Sequence, residues 1–92
     1  KLDEKVEINY MVIKIKNSNG YSIAKAEIEI SQNEKVITEG LSNENGEYIS
    51  KNLPLGIYQV NIWENGYIGE EEDVEIKLDK PSTIIFMMQS KK

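Results

Sequence analysis

Apolar residues recur at every second position through most of this chain, in short runs separated by turn-forming clusters. Val6, Ile8 and Tyr10 alternate with polar neighbours, and Ile13 and Ile15 alternate with Lys14 and Lys16. A period of two sends one face of an extended segment into a core and leaves the other in water. The phase changes near Met11 and Val12, which suits a bulge or a strand passing between sheets. Asn17-Ser18-Asn19-Gly20 predicts a turn, because Asn and Gly tolerate positive φ at low cost. Ala26, Ile28 and Ile30 define a second strand, Gln32-Asn33-Glu34 a further turn, and Val36 to Leu41 a third extended run. The next reversal falls at Ser42 to Gly46, where Asn45-Gly46 predicts a type I′ hairpin turn, and Tyr48 and Ile49 lie on the returning strand.

Leu53-Pro54-Leu55-Gly56 interrupts the pattern, since proline cannot donate to a sheet ladder. Tyr58, Val60 and Ile62 then alternate cleanly with Gln59, Asn61 and Trp63, and Asn65-Gly66 closes the segment. After the acidic stretch Glu70 to Asp73, Val74, Ile76 and Leu78 alternate again; Asp79 to Ser82 turn, and Thr83 to Gln89 form a last strand. About seven short strands with no helical period predict an all-β, Greek-key β-sandwich. A chain of 92 residues encloses one core, so residues 1–92 read as a single domain.

Composition removes whole classes of function. The net charge is −5 and every basic residue is a lysine, so neither the clustered charge nor the bidentate arginine fork that phosphate recognition favours is present. Nucleic acid is therefore not expected as a partner. The longest purely apolar run, Ile84 to Met88, is far short of a membrane span, so membrane insertion is not expected either. No secretion signal is visible; a chain that opens at Lys1 without a methionine reads as an excised or processed piece, so its targeting information could lie outside it. Histidine and cysteine are both absent, which takes away the commonest general base, the thiol nucleophile and the usual zinc ligands. With no catalytic residues, cofactor or metal indicated, the chain does not read as an enzyme.

Four spaced elements carry a family resemblance. The stretch Ile15 to Ile30, with its Asn-Ser-Asn-Gly turn followed by Ile23, Ala26, Ile28 and Ile30, resembles the opening of bacterial Cna B-type and carboxypeptidase regulatory-like domains. Asn43 to Tyr48, then Asn52 to Val60 with Leu-Pro-Leu-Gly-Ile-Tyr, then Asn65-Gly66-Tyr67 resemble the same family's middle run almost in register. The likeness covers roughly residues 11–89. Lys25 departs from it, standing where the family usually has glycine before the alanine. The resemblance implies a transthyretin-like (prealbumin-like) sandwich and a role as a structural module of a bacterial extracellular, secreted or cell-surface protein: a stalk, a spacer or an adhesion-associated unit whose partners are neighbouring domains of the same parent.

The resemblance also implies a question about cross-linking. Many Cna B-type domains join a first-strand lysine to a last-strand asparagine next to a buried acid, chemistry that needs desolvated groups. Here Lys14 and Lys16 are out of phase with the buried Ile13 and Ile15, the acid's usual place four residues after Tyr58 holds Ile62, and the final strand has no asparagine. No internal isopeptide bond is expected; an intact mass one ammonia below the sequence mass would show otherwise.

Three features remain as candidates. Trp63 should face away from a core formed by Tyr58, Val60 and Ile62, and with Tyr67 it could contact an extracellular protein or a glycan, or else cap the end of the sandwich. Glu70 to Asp73 could gather oxygen ligands for calcium, although a solvated charged loop explains them as well. The last strand is apolar on both faces from Ile84 to Met88, so its outer face is expected to be covered by a neighbouring domain, by the early strand Val6 to Tyr10, or by self-association with a second copy.

Overall fold

The computed structural model describes residues 9–78 and 80–91. Seven strands are present among them: β1 (Met11–Asn17), β2 (Glu27–Gln32), β3 (Lys35–Leu41), β4 (Glu47–Ile49), β5 (Gly56–Trp63), β6 (Glu70–Ile76) and β7 (Ser82–Met88). They form two sheets, one with the order β4-β1-β7 and the other β3-β2-β5-β6. The seven-stranded β-sandwich expected from the alternation is the fold found, and its form is the prealbumin-like one that the family resemblance implies. Ile13, Ile15, Phe86 and Met88 from the smaller sheet face Ile28, Ile30, Tyr58, Val60, Ile62 and Ile76 from the larger one, all buried. Aliphatic side chains from two twisted sheets interdigitate in this way because each strand offers every second residue inward.

Two hairpins, β2–β3 and β5–β6, stay within one sheet; the other connections cross between sheets. The β2–β3 turn is the type I′ turn: Asn33 and Glu34 have φ of 53° and 66° and sit between the paired residues Gln32 and Lys35. That corrects the expectation at Asn45-Gly46, where Gly46 has positive φ (73°) but Asn45 does not, and where the chain leaves β3 in one sheet for β4 in the other. Asn17 to Gly20 likewise does not join two paired strands. After the single bridge Lys16↔Ser22 the chain crosses to the larger sheet.

Two buried serines secure such crossings. Ser42, just after β3, donates from Oγ to the Ile23 carbonyl (2.7 Å) and accepts the Ala26 N–H (3.0 Å). Ser50, just after β4, accepts the Met11 N–H at 2.9 Å and donates to the Lys51 carbonyl at 2.7 Å. Buried backbone groups outside the ladders need such partners. Nearby, Lys25 takes φ of 62° where the family resemblance expected glycine, so this position needs a left-handed backbone and lysine tolerates it at a cost.

Other expectations are also revised. Met11 is buried in phase with Ile13 and Ile15, so the expected phase change does not fall within β1; Val6 and Ile8 lie outside the described residues. The acidic stretch Glu70 to Asp73 is not a loop but the first half of β6, an edge strand whose register on β5 (Ile62↔Glu70 to Gln59↔Asp73) overrides the poor strand propensity of its carboxylates. Leu78 lies beyond that strand and is exposed, not on the inner face with Val74 and Ile76. On β7, Phe86 and Met88 are buried, whereas Ile85 and Met87 are 60% and 51% exposed.

Candidate functional site

Trp63 ends β5 on its outward face, directly opposite Glu27 of β2. The residue is 44% exposed, in agreement with the alternation that buries Tyr58, Val60 and Ile62. Beyond it Gly66 turns the chain with φ of 87°, and the Tyr67 N–H donates to the Glu64 carbonyl at 3.1 Å. This brings the half-buried Tyr67 back against the core. Gly69 then runs beneath the indole; a Cβ there would lie 3.3 Å from Trp63 Cδ1, so the ring edge rests on bare backbone.

The run after β7 completes the site. Ile68 N–H donates to the Gln89 carbonyl (2.8 Å), Lys91 N–H donates to the Gly66 carbonyl (3.0 Å), and Tyr67 bridges Ser90. The result is an open cleft of about 320 Å³ lined by Trp63, Tyr67, Glu27, Glu64, Asn65, Gly69 and Lys91. Trp63 and Tyr67, named from sequence, thus meet in one place. Glu27, Gly69 and Lys91 were not foreseen, since strand pairing and the tail's return put them there. An aromatic flank ringed by carboxylates, an amide and an ammonium can stack on an apolar face while accepting and donating hydrogen bonds.

The other candidates do not converge in this way. Strand alternation splits Glu70 to Asp73 between two faces, with Glu70 and Glu72 beside Ile62 and Val60 and with Glu71 and Asp73 on the opposite side. Among the described residues no group of three or more acids, histidines or cysteines is placed to hold a metal ion. Lys14 reaches out of the core to Glu47 Oε2 at 3.9 Å, and Lys16 is exposed. Ile62 fills the core position at which the cross-linking pattern requires an acid.

The sequence profile of the carboxypeptidase regulatory-like domain matches residues 12–89. The chain belongs to that family. A carboxypeptidase regulatory-like domain is a β-sandwich module, and members of the family are typically non-catalytic. Among solved structures, a chain described as the Bacillus anthracis TIE protein superposes with a TM-score of 0.79 at 18% identity, over 91% of this chain and 17% of that one. This domain therefore spans about a sixth of that protein's length, and at such identity the likeness speaks for the fold alone. A comparison with curated proteins finds no match.

Proposed function

We propose that this carboxypeptidase regulatory-like domain is a non-catalytic spacer or accessory module of a larger bacterial surface or secreted protein. The observation that carries the reading is the parallel pairing of β1 and β7, from Met11↔Ser82 to Asn17↔Met88. Because neighbouring first and last strands run the same way, the chain enters at one pole of the sandwich and leaves at the other. Seven-residue strands set those points about 20 Å apart along the strand direction. Units joined at opposite poles string together in series, whereas units with adjacent ends do not. Replacement in the parent protein tests this: an unrelated sandwich with the same polar entry and exit should preserve the parent's activity or display. Loss of activity with such a replacement, while the replaced protein is still made and exported, refutes the spacer role.

The cleft around Trp63 and Tyr67 supports a second reading, a module that binds an extracellular protein or glycan. Trp63→Ala should then abolish capture of one ligand from a glycan or protein panel without changing the denaturation midpoint. Retained capture, or no ligand in the panel that shifts Trp63 fluorescence, counts against it.

A further inference from the structure

We propose that this domain bears tension along its length, with the β1–β7 pair acting as a shear clamp. The inference rests on the spacer reading and adds a mechanical role to it. Tension applied between the two ends draws β1 toward the pole where the chain enters and β7 toward the opposite pole. The two strands must then slide past each other along their common axis. All the inter-strand bonds between Met11↔Ser82 and Asn17↔Met88 are loaded together, and none can open first as they would in a hairpin peeled from its end.

Three features reinforce the pair. First, β1 is the middle strand of its sheet, so it is also held by β4 through Val12↔Ile49, Ile13↔Tyr48 and Lys14↔Glu47. Flanking bonds extend that side: Ile15 N–H to the Gly46 carbonyl (2.7 Å), Ser50 N–H to the Met11 carbonyl (2.9 Å) and Leu53 N–H to the Asn9 carbonyl (2.8 Å). Second, Met11, Ile13, Ile15, Phe86 and Met88 are buried along the inner face of the pair, which keeps water from replacing its hydrogen bonds from that side. Third, the run that follows β7 is itself fastened to the sandwich, by the Ile68-to-Gln89 and Lys91-to-Gly66 bonds. With no cysteine in the chain, this resistance owes nothing to disulfides.

Forced unfolding is governed by the barrier along the direction of pull, not by equilibrium stability, so one folded protein pulled two ways isolates the clamp. The absence of native cysteine lets introduced thiols choose the direction. In single-molecule force spectroscopy, handles fused to the two ends load β1 and β7 in shear. Handles on Ser18→Cys and Gln89→Cys, both exposed and at the same pole, load the pair as an unzipping fork. A second unzipping pair, Asn19→Cys with Gln89→Cys, serves if the first alters the denaturation midpoint. At equal loading rate the end-to-end rupture force should exceed the unzipping force severalfold. Equal forces, or a lower end-to-end force, overturn the clamp. The spacer reading is judged separately by replacement in the parent, so a weak domain that still spaces its neighbours is distinguished from a domain that does not space them at all.

Discussion

The sandwich contains a controlled experiment in glycine replacement. Asn17-Ser18-Asn19-Gly20-Tyr21 and Asn43-Glu44-Asn45-Gly46-Glu47 form the same turn twice. In each, the first asparagine's Oδ1 accepts the N–H groups two and four residues on, at 2.9 and 3.0 Å. In each, its N–H donates to the carbonyl of the fifth residue at 2.8 Å, and the glycine N–H donates to its carbonyl at 2.9 Å. Gly20 and Gly46 both have left-handed φ, 87° and 73°. Their surroundings differ. A Cβ on Gly20 meets nothing within 4 Å, whereas one on Gly46 would lie 2.6 Å from the Ile15 carbonyl oxygen and 3.1 Å from the Ile23 nitrogen.

Gly20→Ala therefore carries only the left-handed penalty of an L-residue, about 1–2 kcal/mol. Gly46→Ala carries the same penalty plus an overlap that only backbone movement relieves. The groups that must move are bonded to each other: Ile15 N–H donates to the Gly46 carbonyl at 2.7 Å, and the Ile15 carbonyl accepts the Ile23 N–H at 3.0 Å. Breaking one of these buried bonds adds about 1–3 kcal/mol. The total, about 2–5 kcal/mol, is a large part of the ~5–15 kcal/mol by which a small domain is stable. Urea or guanidinium unfolding of the two variants, with unchanged m-values, measures the difference directly. Thermal midpoints should separate in the same order, at about 4–8 °C per kcal/mol. Two variants that agree within about 0.5 kcal/mol would refute the argument from crowding, since the local turn is the same in both.

Three further outcomes are expected. Ser42→Ala should cost about 1–3 kcal/mol in chemical denaturation, because it strands the Ile23 carbonyl and the Ala26 N–H in the interior. Tyr58→Phe should cost about 1 kcal/mol at neutral pH, since the part-buried hydroxyl donates to the Pro54 carbonyl at 2.7 Å. Burial also raises the Tyr58 pKa above its ordinary 10.0, so the folded chain keeps a proton that the unfolded chain releases. Stability is then intact below pH 10 and falls as pH rises toward the folded-state value, and in a pH series Tyr58→Phe should remove part of that alkaline loss. Lys25→Gly should stabilise by about 0.5–1 kcal/mol, the relief of left-handed strain less the entropy of glycine, with the bond from the residue 25 N–H to the Ser42 carbonyl retained; a loss of stability would mean that the lysine side chain makes contacts outweighing its strain.

The larger sheet was the more legible part of the molecule. In β5, Tyr58, Val60 and Ile62 alternate with polar residues because one face of the strand is wet, and that contrast is what a period of two reports. The acidic half of β6 misled for the converse reason: on an edge strand neither face is fully dry, so Glu72 stays exposed although it is paired with the buried Val60. At the candidate site, Trp63 and Tyr67 were legible as aromatics near a turn. Glu27 and Lys91 were not, since only strand pairing and the course of the tail bring residues so far apart in sequence into one cleft.

The two Asn-x-Asn-Gly turns show why local chemistry has this limit. Their hydrogen bonds agree closely, yet neither makes the hairpin that such a sequence most often makes, and the type I′ turn falls at Asn33-Glu34, which carries no glycine. A turn sequence specifies how the chain bends, and the sheets decide what the bent chain joins. The same holds for strand direction, because a period of two reads identically forward and backward. Nothing in the alternation of Ile13 and Ile15 with Lys14 and Lys16, or in the apolar run Ile84 to Met88, says that β1 and β7 lie side by side and parallel. Yet that one relation places the start of β1 and the end of β7 at opposite poles, the arrangement on which both the spacer and the clamp proposals rest. The proposed spacing and the proposed resistance to tension thus share a single structural origin, the order of strands in the smaller sheet.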